Sequence, residues 1–250
     1  MTFSIAAVCP RTGDMGCALA TSSMAAGGRA QFISADAGVV LSQARSDPRL
    51  GVLGIARLQA GDGARAALDA MIGASPHAAW RQLAVIDRHG EAVAFTGAEC
   101  TLAKGEVTRH GVVALGNGLA NDGVVGAMMA AFEAAGDVSL AERLIIGMEA
   151  GEAAGGEAYP LRSAAIKIAR PGLPLLPIDL RVDCSETPIA ELRRIWALWV
   201  PMVDGYVARC VDPANAPAAA LIEGHLEGGG GTLAADRLHV ATTRSFGDRG

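Results

Sequence analysis

Thr2-Phe3-Ser4-Ile5-Ala6-Ala7-Val8-Cys9-Pro10-Arg11-Thr12-Gly13-Asp14-Met15-Gly16-Cys17-Ala18-Leu19-Ala20-Thr21-Ser22-Ser23 decides how the rest of the chain is read. Residues 2 to 9 alternate and carry enough β-branching for a strand, Pro10 to Asp14 is a turn signal, and 15 to 22 reads as the returning strand. A turn centred near Thr12-Gly13 sets Thr2 opposite Ser22 or Ser23, within a residue of slippage. The start of the chain and a cluster of hydroxyls are therefore expected at one end of a hairpin. A turn this short also makes the pair antiparallel, because parallel strands need a long crossover.

The same reading extends outward. After a Gly-rich link, a strand is expected at 38 to 44; Asp47 and Pro48 open a helix to about Ala60, and 64 to 73 forms a second helix. Strands follow at 81 to 87, 91 to 96 and 111 to 116, then helices at 124 to 135 and 140 to 151. Strands at 162 to 169 and 178 to 183 precede one long amphipathic helix from Pro188 to about Arg209. Short turns between strands exclude a doubly wound parallel sheet, and each helix pair has to cover a sheet face. The expected class is α+β: a four-layer αββα sandwich of two antiparallel sheets over residues 1–210. Ala-Pro repeats and Gly228 to Gly231 mark 211–250 as a C-terminal extension, partly flexible.

Composition narrows the function classes. Apolar residues make up 51% of the chain and aromatic residues only 4%, so the core relies on close packing of flat layers. The net charge is −5 and no basic stripe with interleaved aromatics occurs, which argues against nucleic acid as a partner. No apolar run is long enough to span a bilayer, and the N-terminus lacks the positive flank of a secretory signal. Five cysteines without a C-x-x-C pair fit reduced thiols, and a cytoplasmic location is expected. The five histidines have no metal-ligand spacing, and the Gly-rich stretches near 116–118 and 151–156 lack a dinucleotide fingerprint. Neither a metal nor a cofactor is expected.

Several stretches carry a resemblance. They are Thr2-Phe3-Ser4-Ile5, Thr12-Gly13 with Gly16, Ser42-Gln43-Ala44 with Pro48 and Gly51, Arg81-Gln82, Thr96-Gly97 and Gly116-Asn117. Ala154-Gly155-Gly156, Ser163-Ala164-Ala165 and Asp179-Leu180-Arg181-Val182-Asp183 complete the series. In this order they resemble DUF1028, a bacterial and archaeal family of unknown function. The succession of elements is similar to the N-terminal-nucleophile hydrolase fold of proteasome subunits. Departures from the family pattern are Ser22-Ser23 in place of a basic residue followed by an aromatic, Leu50 in place of an aromatic, and Tyr159-Pro160-Leu161 in a loop that usually contains glycine.

The resemblance to that hydrolase fold implies a first residue at the mouth of a cleft between the sheets. A hydroxyl is a poor nucleophile without a base, and an N-terminal threonine supplies its own base in an α-amine of pKa about 7.7–8. Removal of Met1, which the small residue Thr2 permits, makes Thr2 the candidate nucleophile; the plain alternative is an ordinary strand-starting threonine. Ser22 and Ser23 either orient the amine or are satisfied by a turn. Asn117, between Gly116 and Gly118, is either an oxyanion donor or an Asn in a left-handed turn. Arg45 is a candidate to lower the amine pKa or to bind a substrate carboxylate as a fork, with Arg29 and Arg162 as rivals. Gln43 and Ser163 enter as pocket candidates through the family match. The expected activity is hydrolysis of a small amide or N-acyl amino-acid-like substrate. The alternatives are a non-catalytic small-ligand binder and a structural subunit. Ile195, Trp196, Leu198, Trp199, Met202 and Tyr206 on the last helix give the expectation of a homo-oligomer.

Overall fold

The computed structural model describes residues 1–101, 103–173 and 175–224. The hairpin is β1 (Thr2–Val8) and β2 (Met15–Thr21). Its turn closes with the Cys9 N–H donating to the Asp14 carbonyl at 2.8 Å, and Gly13 takes φ +74°, a left-handed conformation that favours glycine. Then come β3 (Gln31–Ser34), β4 (Gly38–Ala44), α1 (Pro48–Gln59) and α2 (Ala64–Gly73). Asp47 caps α1 by accepting from the Arg49 N–H, with Pro48 at the first helical position, as its sequence signal predicts. β5 (Arg81–Asp87), β6 (Ala92–Thr96), β7 (Ala103–Arg109) and β8 (Val112–Leu119) lead to α3 (Val124–Ala134) and α4 (Leu140–Ala153). β9 (Ser163–Ala169) and β10 (Ile178–Val182) complete the sheets, followed by α5 (Pro188–Trp199), α6 (Val203–Val211) and α7 (Ala219–Glu223).

The strands form two antiparallel sheets, ordered β10-β9-β2-β1-β8-β7 and β3-β4-β5-β6. Inward residues of both, among them Ala6, Cys17, Leu41, Ile86, Val113 and Leu115, interleave in one buried layer. On the outer face of the four-stranded sheet, Val40, Leu83 and Val85 pack with Leu58, Leu68 and Met71 of α1 and α2. α3 and α4 cover the six-stranded sheet, where Gly151 lets Phe3 approach Met128 and Gly147 admits Ile5. The class is α+β and the layer order αββα.

Two expectations change. β3 and β7 were not anticipated, since both are edge strands whose residues are not alternately buried. The single helix over 188–209 is two helices, interrupted by a 3-10 turn at Val200–Met202, because Pro201 lacks an N–H and clashes with the preceding turn. One compact unit runs from Met1 to Leu192, and a second begins at Arg193. In the second unit the Trp199 and Tyr206 rings stack with centroids 5.2 Å apart, and Gly205 lies against Ile222. The extension expected at 211–250 lies mostly outside the described residues, from 225 onward.

Candidate active site

Strand alternation places the site. In β1, Ala6 and Val8 face the layer between the sheets, so Thr2 and Ser4 face it too. In β4 and β5, Leu41 and Ala84 face inward, and with them Gln43 and Gln82. In β8 the inward Val113 and Leu115 are followed by Asn117. The inward parity of β2 runs from Met15 and Cys17 to Thr21, and Thr21 pairs with Ser163 of β9. The intersheet layer is thus apolar along most of its length and polar at one end. Ser4, Thr21, Gln43, Gln82, Asn117 and Ser163 are all buried there.

These groups satisfy one another. Ser4 Oγ donates to Gln43 Oε1 at 2.6 Å, and Gln43 Nε2 donates to Gln82 Oε1 at 2.8 Å. Asn117 Nδ2 donates to the same Gln82 Oε1 at 2.9 Å and, at 3.4 Å, to the Thr2 carbonyl. Gln82 Nε2 donates to Thr96 Oγ1 and to the Gly116 carbonyl, each at 2.8 Å. Asn117 itself is a strand residue, and its neighbour Gly118 takes the left-handed conformation at φ +66°. Gln82 links the two sheets and was not singled out as a site residue from sequence. A polar residue at an inward position of a core strand was the available signal.

Thr2 is 6% exposed, not an exposed strand end. Its hydroxyl donates to the Met1 carbonyl, which also accepts from Thr21 Oγ1 at 2.7 Å. Phe3 pairs with Ala20, so the next step along the hairpin reaches Thr21, one residue short of Ser22. Ser22 and Ser23 stand beside it: the Ser22 N–H donates to Glu157 Oε2 at 2.9 Å and the Ser23 N–H to Thr21 Oγ1 at 3.1 Å. Ser163 Oγ donates to the Ser23 carbonyl at 2.7 Å. Met1 leans over Gly118, where an added Cβ would meet its side chain at 2.0 Å.

Glu157 is the second residue that sequence reasoning missed. It is 6% exposed, and its Oε1 is buried without a hydrogen-bond partner. Burial raises its carboxyl above the ordinary range, offset in part by Ser22, the N-terminal ammonium and Thr21. The loop holding it is fastened to the end of β8, with Ala120 N–H donating to the Gly156 carbonyl and Ala158 N–H to the Gly118 carbonyl, each at 3.0 Å. Further along the intersheet layer, opposite Ala6, Cys17 offers no thiolate, because burial pushes its thiol up to about 12.

The three arginines do not converge. Arg29 donates to the Met24 carbonyl at 2.7 Å, and Arg162 is exposed while its backbone N–H bonds the Thr21 carbonyl at 2.8 Å. Arg45 lies past the end of β4, its guanidinium 4.6 Å from the Trp80 ring centroid. Ala44 before it takes φ +69°, and Ala25, in the loop after β2, takes φ +53°. These are the only non-glycine residues with positive φ among the described residues; Ala44 ends β4, and Ala25 follows the end of β2 by four residues. Such conformations cost a side-chain-bearing residue about 1–2 kcal/mol and concentrate at functional sites. Among the described residues, no group of three or more His, Cys, Asp or Glu is placed to hold a metal. No described helix is long and apolar enough to cross a membrane.

Comparisons with known proteins fit this geometry to a family. A family model described as "Family of unknown function (DUF1028)" matches residues 2–192. The crystal structure of protein SPO2555 from Silicibacter pomeroyi, assigned to the same family model, is 36% identical in sequence with a TM-score of 0.73. The match covers 78% of this chain and 84% of that one. No curated protein matches.

Proposed function

The chain belongs to the DUF1028 family, a family of unknown function, and from that premise we propose that it hydrolyses a small amide or N-acyl amino-acid-like substrate through Thr2 as an N-terminal nucleophile. One observation carries the reading. Thr2 is the last inward residue of β1, between the two sheets and at the polar end of the layer they enclose. Removal of Met1 deletes the carbonyl that now accepts from both Thr2 and Thr21 and puts an α-amine beside the Thr21 hydroxyl.

Thr2 Oγ1 then attacks the amide carbonyl carbon while the α-amine takes the hydroxyl proton. The tetrahedral oxyanion replaces the longest contact of Asn117, the 3.4 Å bond to the Thr2 carbonyl, and keeps the 2.9 Å bond that orients the amide. As the C–N bond breaks, the ammonium returns its proton to the leaving amine. Water, activated by the same amine, hydrolyses the Thr2 ester. The reading extends to a cytoplasmic homo-oligomer. Support comes from the exposed free thiols of Cys184 and Cys210 and from the exposed Leu198 and Val200 after the family match ends.

Non-catalytic binding is the second reading, favoured by the side chain of Met1 standing over Gly118 and by the burial of Thr2 while Met1 is present. The intact mass of the mature protein separates the two. Loss of Met1, with amine release from a panel of N-acyl amino acids, is expected. Thr2→Ala should lower turnover by about 10³-fold or more, and Thr2→Ser should keep a measurable fraction. Wild-type turnover in Thr2→Ala, or full activity in protein that retains Met1, overturns the mechanism.

A further inference from the structure

A second feature lies at the end of β4, beyond the amide network. Gln43, bonded to Gln82, is followed by the left-handed Ala44 and then Arg45; on the paired strand, Gln82 is preceded by Arg81 and Trp80. Arg45, His77, Trp80 and Arg81 line an open cavity of about 330 Å³. At no more than about 3.3 Å per residue, Arg45 stands two residues, or at most about 7 Å, along the chain from Gln43. The cavity is therefore within the length of a small molecule of the Thr2 end of the sandwich.

Its charge is only partly compensated. Asp47 is the neighbouring carboxylate, and it is committed to Arg49, which donates from Nε at 3.0 Å and Nη2 at 2.8 Å and holds the carboxyl below its ordinary range. Arg81 reaches Asp47 only at 3.7 Å, and one of its terminal nitrogens donates to the Arg45 carbonyl. Its Nε–H is buried with no partner. Arg45 has no acidic partner among the described residues; its guanidinium lies on Trp80. Two guanidiniums with spare donors beside an indole and an imidazole form a site for one negative charge on a small, partly apolar molecule. The left-handed Ala44 holds Arg45 over Trp80 instead of continuing the strand.

We propose that the cavity lined by Arg45, Arg81, Trp80 and His77 is a binding site for the carboxylate of a small organic acid. The site stands whether or not Thr2 is a nucleophile. If Thr2 is one, the proposal gives the substrate class of that reaction: amides that carry a free carboxylate.

Titration calorimetry of the full chain carrying Thr2→Ala tests this without turnover. The probes are benzoate, hippurate, uncharged hippuramide and inorganic phosphate. Saturable binding of benzoate or hippurate is expected at about 1 mM or tighter, with hippuramide at least about tenfold weaker than hippurate. Arg45→Gln should weaken hippurate by about tenfold or more, and Arg45→Lys should fall between, since lysine keeps charge but loses the fork and the stacking. Arg65→Gln, an exposed change on α2, should bind like the parent. Because Arg45 is exposed, its variants should keep the parent circular dichroism and Tm, so lost binding is not lost folding. Absence of saturable binding of benzoate and hippurate up to about 20 mM overturns the proposal. So does equal binding of hippurate and hippuramide, or unchanged binding in Arg45→Gln. Phosphate binding tighter than hippurate overturns the carboxylate assignment. Hippurate binding without hydrolysis of any N-acyl amino acid by the Thr2 protein would leave this site standing and overturn only the hydrolase reading.

Discussion

Glu157 has one oxygen bonded by the Ser22 N–H and one buried without a partner, so folding favours its protonated form. Its pKa is raised from an ordinary 4.5 mainly by burial. Below both the unfolded and the folded pKa the group is protonated in both states and contributes nothing to pH dependence. Between them the folded state binds more protons, so stability falls as pH rises from the unfolded value through the raised folded one. Glu157→Gln keeps an acceptor for Ser22 and removes the titration. Its Tm relative to wild type should therefore climb between pH 4 and pH 7, read by thermal unfolding at several pH values; a constant difference would count against the raised pKa. Part of this site was legible at the residue scale. Thr2 and a cluster of hydroxyls were placed at one end of the hairpin by pattern, within a residue of slippage, and the register brings Thr21 rather than Ser22 opposite Thr2. Glu157 was not legible, because nothing local marks a loop carboxylate for burial. Two glycines with positive φ, Gly155 and Gly156, fold that loop back on β8.

Elements matter most where the sheets meet through amides. Gln82 accepts from Gln43 of its own sheet and from Asn117 of the other, and its own amide reaches the Gly116 carbonyl. Gln82→Leu would remove the short bonds of two buried amide donors, leaving each only a long contact to the Thr2 carbonyl, and would take a donor from the Gly116 carbonyl, at a cost of about 3 kcal/mol or more. For a chain of this size that lowers Tm by roughly 6–12 °C. Gln43→Leu damages the same network, so the double variant should cost less than the sum of the two singles by about 1 kcal/mol or more. Strict additivity in chemical denaturation would show the amides to be independent. Strands buried on both faces, such as β1 and β5, were readable because their apolar content is high and their turns are short. β3 spans only four residues and β7 is mostly polar, so neither carries that signal, whereas the other edge strands, β6 and β10, keep enough apolar residues to be read. Pro201 was visible in the sequence, but the apolar spacing on either side of it carried the helix reading through. The polar inward positions were equally present in the sequence. They become informative only once the parity of each strand is fixed by its apolar members.

At the scale of the whole molecule, the family match ends at Leu192, where the compact unit carrying both sheets also ends. In the second unit Trp196 and Met202 are buried, whereas Leu198 is 38% exposed, Val200 47% and Leu221 59%. Three large apolar side chains exposed on one small unit favour association, each contributing on the order of 1–2 kcal/mol when covered. A closed pair of identical chains can cover such side chains on both protomers at once, which makes a symmetric dimer the simplest assembly. The full chain at micromolar concentration should therefore show a mass of two protomers or more by light scattering. Leu198→Glu together with Val200→Glu should shift it toward one protomer without lowering the Tm of the first unit, since neither residue lies in the layers between Thr2 and Leu192. A wild-type mass of one protomer would mean that these side chains stay exposed in solution, and the assembly would be wrong while the fold and the candidate site stood unchanged.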